Sequence, residues 1–463
     1  MICFDWVSKI TVISIYLLCM FLFPYPSTAA YYGGEKHITM NDALSGSVML
    51  KYMFRKNSDQ SETFHRLLQS AALTFKPVSY ETIELNVSGD LYINPGPGNE
   101  GSIWDTYDDK DAFVYEAYAS FNQTMPFVNI KAGRHYVSYQ FPVHIDGVSA
   151  AIPFSEEQGL FYMYAGKDVD LYGFEDGIDG TPIGAGMTTF LGEKTELGME
   201  YLQIREEKDD TETDNKSKET YRQSSFSFKR YLDTGKAGAT LKTFDNNIES
   251  VKLSAAISPV TMENVQITVS YFRQFIEVEQ KPSALSPFLS LLGSIKPYQE
   301  MSFQISKGFE RKNLVIWGGG DWRDLLEDNN DSSFNHSYFH AYLALEKSEF
   351  FLKDLCLFVQ ADSWQSMIEQ SVIEEDRSDK RIVTCGGELE YQFSGKTRFG
   401  VGSYYSLYKY DYYSDLNEKT DVYSTFAKIK FVPADSIRLN VEYQLDIYDI
   451  KEHSVTITTE WQF

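Results

Sequence analysis

The chain ends on SVTITTEWQF, ten residues that alternate strictly between two faces. Val455, Ile457, Thr459, Trp461 and Phe463 fall on one side of a period-two pattern; Thr456, Thr458, Glu460 and Gln462 fall on the other. A half-buried soluble strand turns its rings inward and rarely stops on an aromatic carboxy-terminus with two rings on its outer face. The closing strand of a membrane-spanning barrel does so, because its apolar face meets lipid and its rings sit at the lipid–water boundary. This one stretch predicts an all-β chain.

The same period recurs upstream. In 436–448, Ile437, Leu439, Val441, Tyr443, Leu445 and Ile447 oppose Arg438, Asn440, Glu442, Gln444 and Asp446. In 80–92, Ile83, Leu85, Val87 and Leu91 oppose Glu84, Asn86, Ser88 and Asp90; in 263–275, Val265, Ile267, Val269 and Tyr271 oppose Gln266, Thr268 and Ser270. A soluble sheet would not charge one face of so many strands while keeping the other uniformly apolar. Read backward, short connections such as VPADS, SGKT, EKSE and GEKT alternate with longer ones such as DYYSDLNEKT and REEKDDTETDNKSK. Short turns at one end and longer loops at the other are the rule for bacterial barrels. The expected fold is an antiparallel up-and-down transmembrane β-barrel over 45–463 with about 22 strands, or 18–20 if doubtful strands around 135–165 merge.

Composition agrees. Mean hydropathy is −0.33, which excludes a helical membrane bundle, yet Tyr and Phe number 32 each, as a wall with a lipid side and a wet side requires. Lys9, the apolar run 10–23 and the small residues of PYPSTAA predict an export signal over 1–30, removed after Ala29 or Ala30. Residues 31–44 then form a short segment, too short for a globular plug, which disfavours the TonB-dependent transporter class. Cys3 and Cys19 leave with the signal; Cys356 is read on a lumenal face and Cys385 on a lipid face, so they do not bridge. The formal charge of −24 argues against nucleic acid as a partner.

The expected lumenal face carries both signs of charge, and Glu84, Asp90, Glu116, Glu200, Lys242, Glu388, Glu390, Lys428, Lys430, Arg438 and Glu442 are the pore-lining candidates. Facing charges of opposite sign set a transverse field and an ion preference, expected to be mildly cationic. The segment 281–297 differs from the other, acidic loops: Leu285, Phe288, Leu289, Leu291 and Leu292 need a place to bury. They either fold into the barrel mouth as a constriction, pack on neighbouring loops or meet a partner. Acidic clusters at 206–214, 324–331 and 374–379 lack the spacing of a defined calcium loop and read as solvated charge. His336, Ser337 and His340 lack the pattern of a Ser-His phospholipase barrel, so neither enzymatic chemistry nor a metal or cofactor is expected.

Two resemblances refine the expectation. Trp461 and Phe463 resemble the carboxy-terminal signal read by the bacterial barrel-assembly machinery. IKAGRHYVSYQFPVHIDGVSAAIPF, around 130–154, resembles the Gly-Arg to Asp-Gly-Val hairpin of porin and alginate-export-type outer-membrane barrels, with Gly133, Arg134, Asp146, Gly147 and Val148 in the matching places. The resemblance implies a bacterial outer-membrane barrel in contact with outer-membrane lipids, passing small hydrophilic solutes passively, with homo-oligomerisation open. Alginate exporters use an electropositive conduit, from which this acidic chain departs. A secretion or conduit barrel, for polysaccharide or as a sleeve around a periplasmic or electron-transfer partner, is the alternative.

Overall fold

The computed structural model describes residues 43–463 apart from 59–62, 77–81, 94–109, 126–127, 155–158, 170–177, 211–214, 263, 278–295, 327–336, 367–380, 409–420 and 449–450. The expected export signal and most of the segment after it lie outside the described residues, as do Leu285, Phe288, Leu289, Leu291, Leu292 and His336. Met40–Phe463 is one compact unit.

The first eight strands are β1 (Leu44–Asn57), β2 (Thr63–Phe75), β3 (Ile83–Ile93), β4 (Lys110–Met125), β5 (Val128–Ser138), β6 (Pro142–Phe154), β7 (Gly159–Asp168) and β8 (Ile178–Phe190). There follow β9 (Thr195–Asp210), β10 (Asn215–Leu232), β11 (Gly235–Phe244), β12 (Asn247–Ile257), β13 (Val265–Gln274), β14 (Tyr298–Phe309) and β15 (Leu314–Leu325). The last are β16 (Tyr338–Lys347), β17 (Leu355–Ser366), β18 (Arg381–Ser394), β19 (Thr397–Tyr408), β20 (Asp421–Ala434), β21 (Ile437–Ile447) and β22 (Lys451–Gln462). Each pairs antiparallel with its neighbours in sequence, and β1 pairs with β22 from Ser47↔Gln462 to Asn57↔Glu452. Gly46 and Phe463 exchange backbone hydrogen bonds of 2.9 and 3.1 Å at the end of that seam. The result is a closed barrel of 22 strands, the one way a sheet leaves no edge unpaired. Among the described residues no helix is long and apolar enough to cross a membrane.

The expected alternation of faces holds across the seams. Because directly paired residues share a face, register carries the apolar row from Ile457 to Val441, Ile429, Phe399 and Tyr391. Leu85, Val87, Met199, Phe226, Leu253, Val269, Phe303, Leu343 and Val401 share that outer face, and all are exposed. So much uncovered apolar surface is untenable in water and favourable against acyl chains, at roughly 25 cal/mol per Å² removed from water.

One expected loop is largely strand. REEKDDTETDNKSK was read as a long connection, yet β9 continues to Asp210 and β10 resumes at Asn215. Register runs without a break from Thr195↔Arg230 to Asp210↔Asn215, so the backbone ladder itself carries the two strands on through this polar stretch.

Candidate functional site

The hairpin of β5 and β6 is where the chain leaves the wall. Pairing of β4 with β5 ends at Ala117↔Arg134, and pairing of β6 with β7 begins at Ile145↔Asp168. Beyond those points β5 and β6 pair with each other from Tyr136↔His144 to Ser138↔Pro142 and turn at Tyr139, Gln140 and Phe141, with a last bond to the wall from the Val169 amide to the His144 carbonyl at 3.2 Å. The freed segment folds onto the inner face of β7, β9, β10 and β11.

It docks through polar and apolar contacts together. Glu200, only 2% exposed, accepts from the Gln140 amide at 2.7 Å and the Phe141 amide at 3.2 Å. It also accepts from the Tyr162 hydroxyl at 3.1 Å and the Tyr164 hydroxyl at 2.7 Å. A buried carboxylate is tolerable when its lone pairs are filled in this way. The Gln140 side-chain amide donates to Ser227 Oγ at 3.0 Å, the Tyr139 ring stacks on Tyr162 at 3.6 Å, and Lys242 Nζ lies 5.1 Å from the centre of the Phe141 ring. Burial, reinforced by Glu200, pushes the Tyr139 phenol above its ordinary value, so it stays neutral. Around these bonds Val137, Phe141, Val143, Ile145, Tyr162, Tyr164, Leu202 and Ile204 close into one buried apolar cluster.

The hinge of this hairpin contains the residues singled out in the sequence. Gly133 pairs with Gly147 where the bend begins. Gly133 has φ +122°, and a Cβ there would sit 2.3 Å from the Ala117 carbonyl oxygen, so only glycine fits. Next to it Arg134 holds Asp146 bidentately, Nε to Oδ1 at 2.8 Å and Nη2 to Oδ2 at 2.7 Å. Departure of β5 strips the end of β4 of its partner. Arg134 Nη1 donates to the Val114 carbonyl at 3.1 Å and His144 Nε2 to the Tyr115 carbonyl at 2.6 Å, so side chains satisfy acceptors that the ladder abandons. Val148 pairs with Ala132 and faces outward, half-exposed.

The pore-lining candidates all lie on the face opposite the apolar row. Glu84 pairs with Lys76 at 3.0 Å, Asp90 accepts from Tyr115 at 3.0 Å, and Glu116 stands opposite Ser88. Arg438 lies 3.7 Å from Glu460, and Glu442 stands opposite Lys428. A dense group occupies β18–β20, where Glu390 meets Lys430 at 2.9 Å and Arg398 at 3.3 Å while Lys428 pairs with Glu388. Lys428 reaches Glu388 by lying over Gly400 of the intervening strand: a Cβ at Gly400 would fall 2.6 Å from Lys428 Cε. Glu200 departs from the expectation of a solvated wall residue, because the hairpin seals it. Cys356 and Cys385 are free and on opposite faces, as expected.

The docking surface left a signal in the sequence. LFYMY in β7 is apolar on both faces, and Leu202 and Ile204 of β9 break the polar pattern of the lumenal row, as expected of a wall that is covered from inside as well as outside. Ser337 and His340 do not form a nucleophile pair: Ser337 Oγ accepts from the Leu325 amide at 2.9 Å, and His340 contacts Asp321 and Asp362.

No family model matches the chain and no curated protein matches it by sequence. Solved structures do match in shape. The translocation pore of the P pilus usher PapC gives a TM-score of 0.52 at 7% identity, covering 90% of this chain and 99% of that one. The siderophore receptor PirA from Pseudomonas aeruginosa gives 0.55 at 11% identity, covering 92% and 81%. The FrpB iron transporter from Neisseria meningitidis gives 0.50 at 11% identity, covering 92% and 83%. At such identities the likeness speaks for the fold, a large antiparallel barrel.

Proposed function

We propose that this chain is a porin-like channel of a bacterial outer membrane, exported by an amino-terminal signal and passing small hydrophilic solutes or ions down their gradients. The observation that carries the reading is the inner face: a closed barrel whose inward residues are charged, ion-paired and largely water-accessible, with one hairpin folded inside. A structural barrel needs no such wall, whereas a diffusive pore needs water, charge and a constriction. The hairpin tip at Tyr139–Phe141 supplies the constriction and the charged groups on β18–β20 supply the field. No plug is part of this reading, and the 281–297 segment is a second candidate for narrowing the mouth. Trp461 and Phe463 serve assembly, and the outer apolar belt meets outer-membrane lipid.

Single-channel recording of the purified protein in planar bilayers tests this. Steady conductance supports the porin; a silent barrel that co-purifies with a second component supports a secretion conduit or sleeve instead.

A further inference from the structure

A second feature of the inner face lies on β13–β17, at the end where the longer connections emerge. The rings of Phe272 and Tyr298 are 5.3 Å apart, and the Arg323 guanidinium sits 3.8 Å from the centre of the Tyr298 ring. Tyr338 and Trp364 follow at 5.1 Å from each other. Trp364 is 36% exposed yet rigidly backed: His340 stacks on it at 3.9 Å, held between Asp321 at 2.8 Å and Asp362 at 2.7 Å. The Tyr338 hydroxyl donates to Glu300 at 3.3 Å.

Two facts make this wall a site. Cross-strand ring pairs add a little to a sheet, but a barrel whose apolar demand is met by lipid does not require a 36% exposed Trp364 on its wet face. And Arg323, although directly opposite Glu300, stacks on Tyr298 instead of pairing with it; its Nε is buried without a hydrogen-bond partner, and among the described residues no carboxylate lies within ion-pairing distance of it. A guanidinium so placed presents its donor edge beside flat rings.

From this we infer that the β13–β17 wall binds neutral saccharides, an inference resting on the channel reading for the route by which a solute arrives. A sugar ring offers an apolar face for Trp364 and Tyr338, and a hydroxyl edge that accepts from Arg323, held in place on Tyr298, and donates to Glu300. Organic anions could use Arg323, but Glu300 stands directly opposite it, and Asp321 and Asp362 flank His340 behind Trp364, so the wall opposes added negative charge. The backing of Trp364 by His340 fixes the ring before a ligand arrives, which lowers the ordering cost of binding.

The test is blockade of the ion current through the full chain by maltohexaose, cellohexaose and xylohexaose, with sodium benzoate as the anionic competitor. At least one hexaose is expected to interrupt the current in a saturable way. The half-blocking concentration is expected to rise about ten-fold, as for a lost contact of ordinary strength, in Trp364→Ala and in Arg323→Gln. Trp364→Phe keeps most of the effect, and Trp322→Ala, on the lipid face, changes nothing. A conducting channel blocked by none of the hexaoses, or by benzoate alone, overturns the saccharide site and leaves the channel reading intact. If the protein does not conduct, tryptophan fluorescence in detergent decides: a hexaose-dependent change lost in Trp364→Ala upholds the site while the channel reading falls, and no change overturns the site.

Discussion

Arg134 grips Asp146 through two parallel hydrogen bonds of 2.8 and 2.7 Å at the point where the β5–β6 hairpin leaves the barrel wall. The pair ties the two strands together just where both lose their outer neighbours, and Arg134 caps the Val114 carbonyl with its remaining nitrogen.

Arg134→Ala therefore loosens the hinge. Both side chains are partly solvated, so the loss is about 1 kcal/mol, enough to raise the undocked population several-fold without unfolding the barrel. The expected readout is a noisier channel with frequent excursions to higher conductance. Asp146→Ala does the same, and the double variant adds little to either single one. Additive effects would show that the pair does not act as a unit.

Glu200 is the anchor at the other end. Glu200→Ala leaves two backbone amides and two tyrosyl hydroxyls without their acceptor, at a cost of about 3–5 kcal/mol for breaking a buried charged network. The hairpin is expected to detach and mean conductance to rise; Glu200→Gln retains the shape and part of the bonding and falls between. Conductance unchanged in Glu200→Ala would mean that the hairpin does not obstruct the lumen.

Residence of the tip can be read chemically. Gln140 Nε2 and Ser227 Oγ are 3.0 Å apart, so a Gln140→Cys, Ser227→Cys chain, with Cys356 and Cys385 replaced by Ser, is expected to be bridged by a short bis-methanethiosulfonate reagent, which spans the gap left by the shortened Gln140 side chain. The bridged channel should conduct like the parent and lose the excursions that Arg134→Ala introduces. Absence of the crosslink on non-reducing gels would remove the hairpin from the lumen.

In the proposed channel the charged group on β18–β20 is expected to set the ionic preference. Glu388→Gln with Glu390→Gln leaves Lys428, Lys430 and Arg398 without their partners and is expected to shift the reversal potential in a salt gradient toward anions. Lys428→Ala with Lys430→Ala shifts it toward cations. Gly400→Val displaces Lys428 from Glu388 and should change selectivity with little change in fold. All three shifts shrink as salt rises, because the Debye length falls from about 10 Å at 0.1 M to about 3 Å at 1 M. Selectivity indifferent to these substitutions would place the controlling field elsewhere.

The barrel was legible because its code is local. A period of two, an apolar face, a charged face and alternating connection lengths are written within each hairpin, and together they yield the strand count, the faces of Cys356 and Cys385 and the closure of the last strand on the first. The extension of β9 and β10 was hidden because a run of charged residues carries no apolar period, whereas the backbone ladder that continues through it is a pairing between two strands.

Which connection turns inward was not local. The leucine-rich 281–297 segment, a candidate for infolding, loop packing or a partner contact, lies outside the described residues up to 295; among the described residues HYVSYQFPV docks inward, with Gly133 and Arg134 already marked at its hinge. Its docking depends on Glu200, Leu202, Ile204 and Ser227, some sixty to ninety positions further on, which only the curvature of the closed wall brings beneath the tip. Periodicity along a strand fixes what each side chain faces, lipid or lumen; it takes the folded cylinder to decide which lumenal groups meet one another.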